Sequence, residues 1–238
     1  MTLNPFAPLT LDLQGAPGAS RRVVVGTVYS TLLNHRDALA ALGDAVNQPP
    51  YKAPPRAPVL GIKPRNTFNT DGGAIVVPRG VEALEMGASL GIVIGRTACR
   101  VTEADALSVV AGYTVCNDVS VPHASHYRPA LRFKCRDGFM PIGPAVVSAH
   151  RVLQPDALSI TVSLDGTVVQ RASTGGMHRP VAALMAAVTD FMTLSPGDVL
   201  MLGVPGGAPL ARAGQRVSIT IDGVGTLSNT LIAEETVA

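Results

Sequence analysis

Apolar residues in this chain come in runs of only four to eight, broken by glycine and proline. Such spacing restricts the fold to short elements. The most uniform run, residues 88–95 (ASLGIVIG), is apolar at nearly every position, the pattern of a strand buried on both faces. The β-branched stretch 22–33, the apolar piece 59–62 ahead of Lys63, and segments 74–78, 113–117, 199–203, 216–221 and 226–231 also read as strands. Residues 158–164 and 167–170 flank Asp165-Gly166, the residue pair of a tight type I′ hairpin. Three or four helices are expected. Asn34 caps one over 36–45, Thr102 with Asp105 opens a second that runs to Val110 before Gly112, and apolar spacing gives a third over 179–194, closed by Ser195-Pro196-Gly197-Asp198. Five prolines keep 46–58 out of any regular element, leaving a stiff connector or a lid. The fold class is α+β and β-rich, with a variable arm over 1–21 and one domain over 22–238.

Composition narrows the partners. Nineteen Lys and Arg against seventeen Asp and Glu give a charge of +2, and aromatic residues are 4% of the chain, which argues against nucleic acid. No apolar run approaches the roughly 20 residues that span a bilayer, and residues 1–20 do not read as a secretory signal. Cys99, Cys116 and Cys135 are odd in number and form no CxxC pair, so free thiols in a reducing cytoplasm are expected. Cys135 reads as a reactive thiol or, more simply, as a buried structural one. Gly203-Val204-Pro205-Gly206-Gly207 lacks the lysine of a phosphate-binding loop, and no HExxH or GxSxG is present. His123 and His126 read as a solvated helix start rather than a metal pair.

The polar chemistry concentrates between Asn117 and Pro144. Taken as a strand, 131–138 alternates Leu131, Phe133 and Cys135 with Arg132, Lys134 and Arg136, placing three cations on one face. That face is either a solvated edge or an anion site, and Gly138 with the turn-rich FMPIGP segment behind it favours the second. Lys63 and Arg65 add two cations at the end of another apolar strand.

In order along the chain, Leu33-Asn34, the proline-rich stretch, Lys63-Pro64, LGIVIG, GYTVCNDVS, Lys134 with PIGP, LSPGD and GVGTLSN resemble the fumarylacetoacetate hydrolase superfamily from about Val23 onward. The pieces NHRD, PYKAPP, IKPRNT, NDVS, YRPA and KCRDGF are most similar to the amino-terminal half, or separate subunit, of the decarboxylase/isomerases of 4-hydroxyphenylacetate (homoprotocatechuate) catabolism. The resemblance implies a mixed β-roll and a dimer. It also implies a carboxy-lyase/isomerase that acts on 5-oxopent-3-ene-1,2,5-tricarboxylate and 2-hydroxyhepta-2,4-diene-1,7-dioate through one stabilised dienolate. The cofactor so implied is Mg²⁺ or Mn²⁺, held by two glutamates and an aspartate.

Carried over residue by residue, Asp118 matches the aspartate ligand and Lys134 the catalytic lysine, with Lys63, Arg65, Arg132 and Arg136 left to bind substrate carboxylates. The glutamate positions are Gly87 and Ser89 here, and Glu85 stands two residues early. The histidine that hydrolase members carry on the lid helix is Ala38. Two readings remain: an enzyme subunit acting on a small di- or tricarboxylate 2-oxo acid as a homodimer, or a non-catalytic lobe completed by a homologous, metal-bearing subunit.

Overall fold

In a computed structural model the described residues are 8–15, 21–123 and 130–235. The strands are β1 (Thr10–Gln14), β2 (Arg21–Val24), β3 (Val28–Leu32), β4 (Val59–Lys63), β5 (Phe68–Asn69), β6 (Ala74–Val77), β7 (Leu84–Glu85), β8 (Ala88–Ile94), β9 (Val110–Asn117), β10 (Met140–Ser148), β11 (Ser159–Leu164), β12 (Thr167–Ser173), β13 (Val199–Met201), β14 (Leu210–Ala211), β15 (Arg216–Ile221) and β16 (Gly225–Ala233). The helices are α1 (Arg36–Ala40), α2 (Glu103–Ala106), α3 (Leu131–Lys134) and α4 (Val181–Thr189). Thr10–Gln14, inside the expected arm, joins the sheet, antiparallel to β2 and parallel to β10.

Nine strands form one sheet in the order β2-β1-β10-β9-β8-β13-β3-β4, with β5 also paired to β10. Because β5 follows β4 closely in the chain yet pairs back onto β10, the far edge returns toward the middle and the sheet curls. Val28, Val93, Cys116, Met140, Ile142, Val199 and Met201 form a buried cluster with Phe68 packed against it, drawn from the strands of that curl. The other faces of β8 and β9 send Leu90, Ile92, Tyr113 and Val115 into a larger cluster shared with α4 and the five-stranded sheet β12-β11-β15-β16-β6. Every residue of β8 is buried, so the two-faced burial expected of that run holds. Each such Leu or Ile contributes about 1.5–3 kcal/mol of transfer free energy.

Several expected elements are cut short by tertiary hydrogen bonds. The stretch 22–33 splits into β2 and β3 because Gly26 N–H donates to Gly197 O (2.9 Å) and Thr27 N–H to Asp198 Oδ1 (2.8 Å). Asn34 caps no helix. Its side chain accepts from Arg179 N and donates to Arg179 O and Leu202 O (2.7 Å), while His35 caps the shortened α1 by accepting from Asp37 N. Thr102 does cap α2, accepting from Asp105 N, and the helix continues as a 3-10 turn over Leu107–Val109 until Val110 enters the sheet opposite Ile94. α4 starts only at Val181, whose N–H donates to Asp156 Oδ1, and ends at Thr189. The hairpin turn is as expected, with Asp165 at φ 49° and Gly166 at φ 83°.

Residues 131–138 are not a strand. Leu131–Lys134 is a single helical turn, with Cys135 N–H donating to Leu131 O (2.8 Å). Alternation of apolar and charged residues over so few positions does not separate a turn of helix from a strand. No helix among the described residues is long and apolar enough to cross a membrane.

One close approach sets a stability test. A Cβ at Gly112 would lie 2.2 Å from Val147 O in the neighbouring strand β10. Gly112→Ala is expected to cost about 1–3 kcal/mol, read as a lower urea midpoint at unchanged slope.

Candidate active site

Asp118 follows directly on β9 and shares its inward face with Cys116, two residues earlier. Lys63 ends β4, four strands away in sheet order. Across a flat sheet that separation would be ~19 Å. The curl removes it: Lys63 Nζ donates to Asp118 Oδ1 at 2.8 Å and to Lys134 O at 2.7 Å. Lys134, at the end of α3, donates its own Nζ to Asp118 Oδ2 at 2.8 Å. Both carboxylate oxygens are thereby held by ammonium groups, with the Asp118 side chain 0% exposed, Lys63 1% and Lys134 16%.

Burial alone would push the Asp118 carboxyl up, but Lys134 and Lys63 beside it, through charge and hydrogen bonds, hold it well below the usual carboxylate range. For Lys63 burial is the larger influence and lowers its ammonium, Lys134 adds to that, and Asp118 opposes it. Burial pushes both the Cys116 and Cys135 thiols up, so neither is activated. Cys99, Cys116 and Cys135 are all free, as expected.

The site residues read from sequence therefore separate. Lys134 and Asp118 meet. Lys63 joins them, buried, with Nζ donating to protein acceptors on both Asp118 and Lys134. Arg132 and Arg65 are exposed, and Arg136 Nε donates to Arg132 O (3.3 Å). Asn66 ties the two basic segments together by donating to Cys135 O and to Asp137 Oδ1. The cations thus form two inward lysines, Lys63 and Lys134, with the arginines on the same two segments left outside, not one face of a strand.

Two neighbours were set aside by sequence reasoning. Glu85 exchanges backbone hydrogen bonds with Ser120, and burial raises its carboxyl while His123 and Lys134 pull it down and Asp118 pushes it up. His123 lies outside any helix, stacks on Phe133 with ring centroids 5.2 Å apart, and places Nδ1 3.0 Å from Val121 O and 3.1 Å from Ser120 Oγ. His126 lies outside the described residues. The signal that could have found Glu85 is its position two residues before Gly87, on a stretch that runs beside Asp118.

A family model described as fumarylacetoacetate (FAA) hydrolase C-terminal matches residues 27–232. The chain belongs to the fumarylacetoacetate hydrolase family. A 4-hydroxyphenylacetate degradation bifunctional isomerase/decarboxylase of Escherichia coli is 41% identical over 89% of this chain and 48% of its own length. The chain thus spans about half the length of the curated relatives of that kind that it matches. Among solved structures, 2-hydroxyhepta-2,4-diene-1,7-dioate isomerase from Mycobacterium marinum is 29% identical, with a TM-score of 0.74 over 91% of this chain and 79% of that one. Fumarylpyruvate hydrolase from Pseudomonas aeruginosa, in complex with Mn²⁺ and pyruvate, shares the fold at a TM-score of 0.81 and 24% identity over 96% of this chain and 97% of that one.

The residues present do not fit the family's divalent metal. Both Asp118 oxygens already accept from an ammonium group. At Gly87 a Cβ would stand 2.6 Å from Asp118 O, and the Ser89 hydroxyl is spent accepting from Gly203 N–H (3.1 Å) and donating to Leu90 O. Among the described residues no three His, Cys, Asp or Glu groups are arranged to hold an ion.

Removing the carboxylate would leave two ammonium groups facing each other in the interior. Asp118→Ala is expected to cost about 3–5 kcal/mol in urea unfolding, against no more than about 0.5 kcal/mol for Arg132→Ala on the surface.

Proposed function

We propose that this chain is a catalytic lobe of a decarboxylase/isomerase of 4-hydroxyphenylacetate catabolism, acting on a small di- or tricarboxylate that carries a 2-oxo group or its 2-hydroxydiene tautomer. The observation that carries this reading is Lys134, a partly exposed ammonium fixed at 2.8 Å on a buried carboxylate and flanked by a basic rim. Similarity to the bifunctional isomerase/decarboxylase and to the heptadienedioate isomerase supports the substrate class.

The chemistry follows from charge. In decarboxylation the C–CO₂ bond breaks heterolytically, CO₂ departs, and the electron pair delocalises through the double bond onto the 2-oxo oxygen. Lys134 donates a hydrogen bond to that oxygen as it becomes an enolate, which lowers the barrier only if the donor is already in place. Asp118 and Lys63 hold it there. Arg132, Arg136 and Arg65 take the remaining carboxylates, pairings that suit exposed guanidinium groups. A proton delivered to a different carbon of the same dienolate gives the isomerisation, and we assign Glu85 to carry it because its backbone pairs with Ser120, two residues after Asp118, and burial raises its carboxyl.

A second reading is favoured by Gly87 and Ser89 together with the half-length match: a lobe that supports the geometry of a homologous, metal-bearing lobe. Homodimerisation or pairing with such a lobe, and residence in the cytoplasm, belong to this proposal. The three free thiols agree with a reducing compartment.

Turnover of the heptadienedioate by the purified chain, followed by ultraviolet absorbance alone and with a homologous lobe, separates the readings. Activity of the chain alone supports catalysis, and activity unaffected by loss of Lys134 sinks it. Lys134→Met is expected to lower kcat by about 10²–10³-fold, the effect of removing one oxyanion donor, whereas Arg132→Ala should act mainly on KM.

A further inference from the structure

We infer that the Asp118 site is a metal-free anion site, in which the ammonium groups of Lys63 and Lys134 occupy the carboxylate and Lys134 receives the paired oxygens of a 2-oxo acid directly. The inference rests on the substrate class proposed above and deepens it.

Three independent features point the same way. First, both carboxylate oxygens are engaged: Lys63 holds Oδ1 and Lys134 holds Oδ2, each at 2.8 Å. A divalent ion approaching either oxygen would meet an ammonium group already there, and a single carboxylate is a weak ligand set for a hard cation. Secondly, the neighbouring strand brings no ligand to the carboxylate. Bare backbone at Gly87 packs against Asp118 O, and the Ser89 hydroxyl is engaged with Gly203 and Leu90, so neither position has a donor to offer. Thirdly, the charge already suits an anion. Two ammonium groups and one carboxylate sum to +1 before the neighbouring Glu85 carboxyl is counted, which burial pushes toward its neutral form, and Lys134 is the partly exposed ammonium, since Lys63 spends its other hydrogen bond on Lys134 O. Lys63 therefore balances Asp118 internally and leaves Lys134 free to turn donors toward a ligand.

The test uses the full chain and oxalate, whose two adjacent carboxylates mimic a planar 2-oxo acid enolate. Oxalate binding is measured calorimetrically in EDTA and again with millimolar Mn²⁺, and free Mn²⁺ is followed by electron paramagnetic resonance. Expected are the same oxalate affinity in both media, no stoichiometric uptake of Mn²⁺, and an affinity about tenfold or more weaker in Lys134→Met, the loss of one charge-assisted hydrogen bond. One Mn²⁺ bound per chain, with oxalate affinity rising in its presence, would overturn the inference while leaving the proposed reaction standing. Absence of oxalate binding in either medium would overturn both. Neither result depends on the folding of an Asp118 variant, because both are read on the unmodified chain.

Discussion

The contact between Lys63 and Asp118 is where the curl of the large sheet is fastened. Strand β4 lies at one end of the strand order and β9 near the middle, and the ammonium of Lys63 spans what remains of the gap between them. An ion pair so deeply buried is costly to form unless every charge and donor is matched. Here the match is made by a second lysine and a backbone carbonyl, so the whole triplet stands or falls together. The inner apolar cluster of Val28, Cys116 and Met201 supplies the low-dielectric surroundings in which that match counts.

Around this fastening, polar side chains rather than helices fix the connections. Asp198 accepts from Thr27 and Ser195, Asn34 bridges Arg179 and Leu202, and Asn229 donates to Thr70 O and Gly73 O. Each satisfies backbone groups that short strands leave unpaired. The helices are correspondingly brief, and α4, apolar or small at nearly every position, buries Val181, Leu184, Met185 and Val188 in the larger cluster.

Much of this was legible in the residues. The run 88–95 announced a strand buried on both faces, Asp165-Gly166 announced its turn, and Asp118 with Lys134 announced a charged site. What stayed hidden was non-local. Lys63 read as a cation free for substrate because its burial comes from a curl that no local pattern encodes. The turn at 131–134 read as strand because four residues are too few to distinguish a period of 3.6 from one of 2. Asn34 read as a cap because its partners, Arg179 and Leu202, lie far along the chain. Glu85 was passed over because its neighbours Ser120 and His123 come close only through the bridge between β7 and the segment after β9.

The tight packing of Gly87 on Asp118 gives the site a direction of change. Introducing a carboxylate there is not a single step, since the new side chain would strike the aspartate's own carbonyl, and at Ser89 the hydroxyl that accepts from Gly203 N–H would be lost. The positions around Asp118 are thus coupled, and a side chain added at 87 is transmitted to the carboxylate through the backbone that carries it.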